Sequence, residues 1–170
     1  GGQWAAAGQL SVLLGPDSGI GRLLIRGDEA GAERELARWR EAVPHERITI
    51  AVADLLAGSG AYCEMAAAAM LRFADAHHLG CVLTNHVRMT RPGQAPLCDV
   101  LDAARRLTPL SVRSTAQRTG EDWLKDGARM SGLAARISAL AGRDDAGQGL
   151  LAMTGALARE CMLDPVADIG

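Results

Sequence analysis

Cys81-Val-Leu-Thr-Asn-His-Val-Arg-Met-Thr-Arg-Pro-Gly-Gln-Ala-Pro-Leu-Cys-Asp-Val-Leu-Asp-Ala-Ala-Arg-Arg106 contains three kinds of segment in a fixed order. Cys81 to Leu83 is a short apolar run behind the Gly80 that ends a helical pattern, and it reads as a buried strand of a parallel sheet. Thr84 to Gly93 is a polar loop that holds Asn85, His86, Arg88 and Arg91. Pro96 stands where a first helical turn tolerates proline, and Leu97, Val100, Leu101 and Ala104 follow at helical spacing, so this face is expected to meet the core. Strand, loop and helix in that order put the polar loop at the carboxyl end of a strand, where α/β folds bind ligands. On this reading a charge at Leu101 unfolds the chain.

The segments on either side have the same character. Gln9 to Leu14 is a candidate first strand, and the Gly-Pro-Asp-Ser-Gly-Ile-Gly after it reads as a tight turn. It is not a phosphate loop, because no Lys-Ser/Thr follows and the third glycine of a dinucleotide fingerprint is missing. Asp28 offers a helix N-cap, with Ala32, Leu36, Trp39 and Val43 forming one face up to the stop at Pro44. Ile48 to Val52 is β-branched and apolar, a second buried strand. Tyr62 to Leu79 follows as a long helix with Ala66, Ala69 and Phe73 on one face, ended by His77 and His78, with Gly80 as its left-handed stop. Positive charge at a helix C-terminus is favourable, which makes capping the preferred use of this histidine pair over metal ligation.

The alternation of strand and helix points to a parallel α/β fold, specifically a partial (β/α) barrel. Beyond Leu107 the pattern changes. Thr108 to Gly120 is polar and reads as an exposed connector. Met130, Leu133, Ala134, Ile137 and Leu140, then Leu150, Met153, Leu157 and Cys161, mark two antiparallel helices around the break at Gly142 to Asp145. The expected organisation is an α/β unit over residues 1–110, a connector over 111–124 and a helical segment over 125–170.

Composition narrows the function. The 170 residues are 48% hydrophobic and 22% charged, so one domain with a sizeable core is expected. Aromatic residues make up only 3%, too few for a stacking platform on single-stranded nucleic acid. A net charge of -2 gives no general affinity for polyanions. Cys63, Cys81, Cys98 and Cys161 form no Cys-x-x-Cys pair and read as reduced thiols in a cytoplasmic protein. No apolar run approaches the roughly 20 residues that span a bilayer. A chain beginning Gly-Gly is expected to be a piece of a longer protein.

Several motifs together resemble one family. Thr84-Asn85, Pro92 to Pro96 and Asp99 to Leu107, with Leu13 to Ser18, Trp123 to Asp126 and Glu160 to Pro165, are similar to the polymerase-and-histidinol-phosphatase (PHP) domain of bacterial C-family DNA polymerases, the alpha subunits of DNA polymerase III. The likeness is strongest to the error-prone branch of high-GC bacteria. It implies the late part of a PHP-type barrel and a helical link toward the polymerase palm. Active PHP domains hold metals with a His-x-His and, after a late strand, a Thr-Asn-Asp-x-His. This chain has no His-x-His, and aligned on Thr84-Asn85 the aspartate position is His86 and the histidine position is Arg88. Near Asp54 the resembled strand end carries a glutamate and a histidine, whereas here only Asp54 could ligate.

A guanidinium stays protonated and cannot coordinate a cation. The resemblance therefore implies a degenerate site at Thr84, Asn85, His86 and Arg88 with no bound metal, and no catalytic residue in this piece. Arg88 and Arg91 are candidates for contact with an anion or the DNA backbone. Asp102 is expected to pair with Arg106 on the helix surface. The chain lacks the Pro-Asp-x-Asp-x-Asp carboxylates with which the family's palm binds Mg2+, so that cofactor belongs to the parent enzyme. The expected role is a scaffold that braces palm and thumb and meets DNA through the parent. The alternative is a metal-dependent phosphoesterase or 3′–5′ exonuclease with its other ligands elsewhere. A free-standing interaction protein is a third possibility.

Overall fold

The computed structural model describes residues 10–110, 119–162 and 166. Among the described residues the fold is mixed α/β, with three parallel strands and six α-helices, together with short 3-10 turns at His45–Arg47 and Pro92–Gln94. Strand β1 is Val12–Leu14, helix α1 Gly19–Ile25, α2 Glu29–Ala42, β2 Ile48–Val52, α3 Glu64–Ala76 and β3 Gly80–Leu83. After them come α4 Ala95–Arg106, α5 Gly127–Ala141 and α6 Gln148–Glu160. The strands lie in the order β1-β2-β3, with Leu14 beside Ile50 and Ile50 beside Cys81.

Every residue of β2 is buried, as expected for an uninterrupted apolar strand in the middle of a parallel sheet. Val12, Leu14, Ile48, Ile50, Val52, Cys81 and Leu83 face one core, which α1, α2 and α3 complete through Ile20, Leu24, Leu36, Met70 and Leu71. In α2 the Asp28 side chain accepts from the Gly31 amide at 2.8 Å, and Ala32, Leu36 and Val43 are buried, as their spacing implies. Helix α3 is buried more widely than the expected face, with Ala66, Ala67, Ala68, Met70, Leu71, Phe73 and Ala74 all inside. It lies between the sheet and α5, and its alanines let both approach. Its left-handed terminal residue is His78, at φ 54°, rather than Gly80, which already belongs to β3.

The turn expected after β1 is present, closed by the Ser18 amide on the Gly15 carbonyl at 2.9 Å, but the next glycines open a helix. Ser18 caps α1 by accepting from Gly21 N at 3.0 Å. Gly21 is required by packing, since a Cβ there would lie 2.5 Å from the Gly15 carbonyl oxygen. These glycines mark close approach, which in sequence looks the same as a turn.

The last two helices join the same core, through Leu133, Ala134, Ile137 and Leu150. Helix α5 packs on α3, and α6 packs on β3. The Leu83 amide of β3 donates to the Thr154 hydroxyl of α6 at 2.9 Å, so a helix covers the strand edge where another strand would pair. Among the described residues the sheet has three strands and is not closed.

Helix α4 overturns one expectation. Leu97, Val100 and Leu101 are 55%, 46% and 60% exposed and Ala104 is exposed too, while Cys98 and Asp102 are the buried positions. The apolar spacing located the helix correctly, but its inward side is chosen by a polar contact that spacing does not encode.

Candidate functional site

In a parallel sheet the carboxyl ends of all strands lie along one margin, so the loops after β1, β2 and β3 converge. Asp17 follows β1, Asp54 follows β2, and the polar loop that begins at Thr84 follows β3. The Tyr62 hydroxyl, from the loop before α3, donates to Asp17 Oδ2 at 2.8 Å. The Tyr62 ring centre lies 5.6 Å from that of His86, so residues from three loops meet here. His86 is exposed, at φ 47°.

The Thr84 amide extends the sheet ladder by donating to the Val52 carbonyl at 2.8 Å. Asn85 is buried; its amide nitrogen donates to the Trp123 carbonyl and its oxygen accepts from Lys125 Nζ at 2.9 Å. Lys125 is only 4% exposed and pairs with Glu121 Oε2 at 3.3 Å. The amides of Arg88 and Met89 both donate to the Asp122 carbonyl, at 2.7 and 3.1 Å, and Leu124 N returns to Met89 O at 2.9 Å. Met89 and Trp123 thus form a short parallel bridge. Residues 108–110 of the expected connector are exposed, residues 111–118 lie outside the described residues, and residues 121–125 are stitched to the polar loop.

Arg88 donates from Nη2 to Asp102 Oδ1 of α4 at 2.7 Å, with Asp102 7% and Arg88 22% exposed. That hydrogen bond holds the guanidinium pKa above its ordinary value. Asp102 is therefore tied into the loop rather than displayed on the helix surface. Arg91 stays exposed at the start of the 3-10 turn, where the amides of Thr90 and Arg91 and the Thr90 hydroxyl converge on Gln94 Oε1. The loop's two arginines are in different states, Arg88 committed to a carboxylate and Arg91 open to solvent.

Among the described residues no three His, Cys, Asp or Glu side chains are grouped so that they could hold a metal ion. At the end of α3, His77 lies 3.7 Å from Glu33 and its ring centre is 4.3 Å from that of Phe73, while the His78 carbonyl lies 3.1 Å from His45 Nε2. Cys63, Cys81 and Cys98 are buried and Cys161 is exposed. Burial pushes the Cys81 thiol up to about 12, with Arg143 lowering it and Asp75 raising it. It is an inert core thiol at neutral pH.

The sequence singled out Thr84, Asn85, His86, Arg88 and Arg91. It gave no site role to Lys125, Glu121 and Asp122, which complete the same unit, or to Asp17 and Tyr62, although Lys125 and Asp17 lie within motifs of the resemblance. Their signal was faint: two acids next to a tryptophan in the expected connector, and a lysine at the first position of the expected helical segment.

Neither a protein-family model nor a curated protein matches this chain. No helix among the described residues is long and apolar enough to cross a membrane.

Proposed function

We propose that this chain is a non-catalytic scaffold portion of an error-prone C-family DNA polymerase, with the remnant of a PHP metal site in the Thr84 to Arg88 loop. The parent enzyme would extend DNA across lesions in the cytoplasm, using Mg2+ held by palm aspartates outside this chain. The chain itself would brace palm and thumb and meet DNA only through the parent.

The observation that carries this reading is the 2.7 Å pair of Arg88 and Asp102, at the position where the resembled family has a metal-binding histidine. A cation held by a buried carboxylate fastens α4 to the loop, and a fixed positive charge there opposes metal entry. The same pair leaves Arg91 as the freer loop arginine for anion or DNA-backbone contact. An open sheet of three parallel strands fits the later part of a PHP-type barrel.

The alternative is a metal-dependent phosphoesterase or 3′–5′ exonuclease whose remaining ligands lie elsewhere. It is favoured by Asp17, Tyr62 and His86 meeting at the carboxyl margin of the sheet. Sequencing the genomic DNA on both sides of the frame tests the first reading. An open frame leading downstream into paired palm aspartates is expected, and a stop codon soon after Gly170 overturns it. Titration with manganese separates the two readings: stoichiometric, tight binding to the wild-type chain reverses their order.

A further inference from the structure

A cleft of about 460 Å³ opens beside the carboxyl end of β2, between the loop that follows it, the first turn of α3, and α5. Its volume is in the range of small-molecule sites. Leu56, Cys63 and Met65 supply apolar wall, and Asp54, Glu64 and Arg136 supply charge. Asp54 is 1% exposed, and its two carboxylate oxygens differ. Oδ1 accepts from the Leu56 amide at 2.8 Å, whereas Oδ2 is buried without a hydrogen bond. The Arg136 guanidinium stands 3.5 Å from Oδ2 and 3.6 Å from Glu64 Oε2, an ion pair with both and a hydrogen bond with neither. Its side chain is half exposed, on the outer surface of α5.

A buried carboxylate oxygen that lacks a donor is costly, and a well-aimed charged donor gains more there than at the surface. Two carboxylates against one guanidinium leave the cleft one negative charge in excess. We infer that the cleft is a binding site for a small organic cation, a primary ammonium or guanidinium group on an apolar stem. The cation takes the place of Arg136 at Asp54 Oδ2 and makes the hydrogen bond that Arg136 does not, Glu64 flanks it, and the stem lies along Leu56 and Met65. The inference does not rest on the polymerase reading, since it uses nothing of the Thr84 to Arg88 loop and takes Asp54 only as a buried carboxylate with an unbonded oxygen.

Titration of the isotope-labelled, intact chain with n-butylammonium chloride at constant ionic strength, followed by amide NMR shifts, tests it. Saturable shifts confined to the cleft walls are expected, with tetramethylammonium, which has no N–H donor, giving none. Asp54→Asn should weaken n-butylammonium binding at least tenfold, and Arg136→Met, a surface change that removes the competing cation, should tighten it severalfold. Equal responses to the two cations, saturable shifts away from the cleft, or an unchanged affinity in Asp54→Asn overturn the inference. So does tighter binding of manganese at Asp54, which makes the cleft a metal site. If Asp54→Asn fails to fold, Arg136→Met and Glu64→Gln decide: tightening in the first with weakening in the second supports the inference, and any other result overturns it.

Discussion

Arg88 shows how one side chain sets the character of a loop. A histidine at this position could ligate a metal in its neutral form, but a guanidinium cannot, and this one is held at 2.7 Å by a carboxylate that is only 7% exposed. Removing it takes a charged donor at 2.7 Å from the buried Asp102 carboxylate. Arg88→Ala is expected to cost about 1–3 kcal/mol in urea unfolding, the range for losing a hydrogen bond to a charged group. Arg88→Lys should recover only part of that, since a point charge replaces a planar fork. Cys81 gives a second prediction at the same scale. Its folded pKa is raised from 9.0 to about 12 by burial. Below about pH 9 the thiol is protonated in both states; between pH 9 and 12 the unfolded chain releases the proton while the folded chain keeps it. Stability therefore falls as pH rises through that window, by at most roughly 1.4 kcal/mol per pH unit. Urea unfolding of wild type and Cys81→Ala across the window checks this: the variant should lose that part of the decline.

Helices α2 and α4 both carry an apolar periodicity, with opposite outcomes. In α2 the face of Ala32, Leu36 and Val43 is the buried face. In α4 the apolar face of Leu97, Val100 and Leu101 points to solvent, because Asp102 is drawn inward by Arg88 and Cys98 sits beside it. Leu101 is 60% exposed, so Leu101→Asp should change stability by less than about 0.5 kcal/mol in thermal melts, as ordinary surface substitutions do. Ile50→Ala, at a fully buried position in β2, should by contrast cost about 2–5 kcal/mol. A melting temperature lowered equally by both changes would mean that α4 buries its apolar face after all.

At the scale of the molecule, the notable departure is that the C-terminal helices belong to the core of the sheet. Leu133, Ala134, Ile137 and Leu150 share one apolar cluster with β1, β2 and β3, and Thr154 closes the edge of β3. Thr154→Val, which keeps the shape and removes the acceptor for the Leu83 amide, is expected to cost about 1–3 kcal/mol. The same change should speed hydrogen exchange at Leu83 before it affects the rest of β3. Unchanged exchange there would mean that α6 does not guard the strand edge.

The local elements were legible because each is written in consecutive residues. The β-branched run Ile48 to Val52 is β2 to the residue, the Asp28 cap and the spacing to Val43 are α2, and Pro96 with its apolar followers locates α4. Thr84, Asn85, His86 and Arg88 could be picked out as the polar end of β3 for the same reason. What sequence could not carry was the choice of partners across the fold. Gly21 reads as a turn residue until the Gly15 carbonyl is found against it. Asp102 reads as a surface acid until Arg88 is brought to it, and Asp122 and Trp123 read as connector until Asn85 and Met89 bind them. Periodicity records which residues share a side of an element. Which side is buried depends on charges and hydrogen bonds between segments far apart in the chain, and these exist only once the backbone has brought them together.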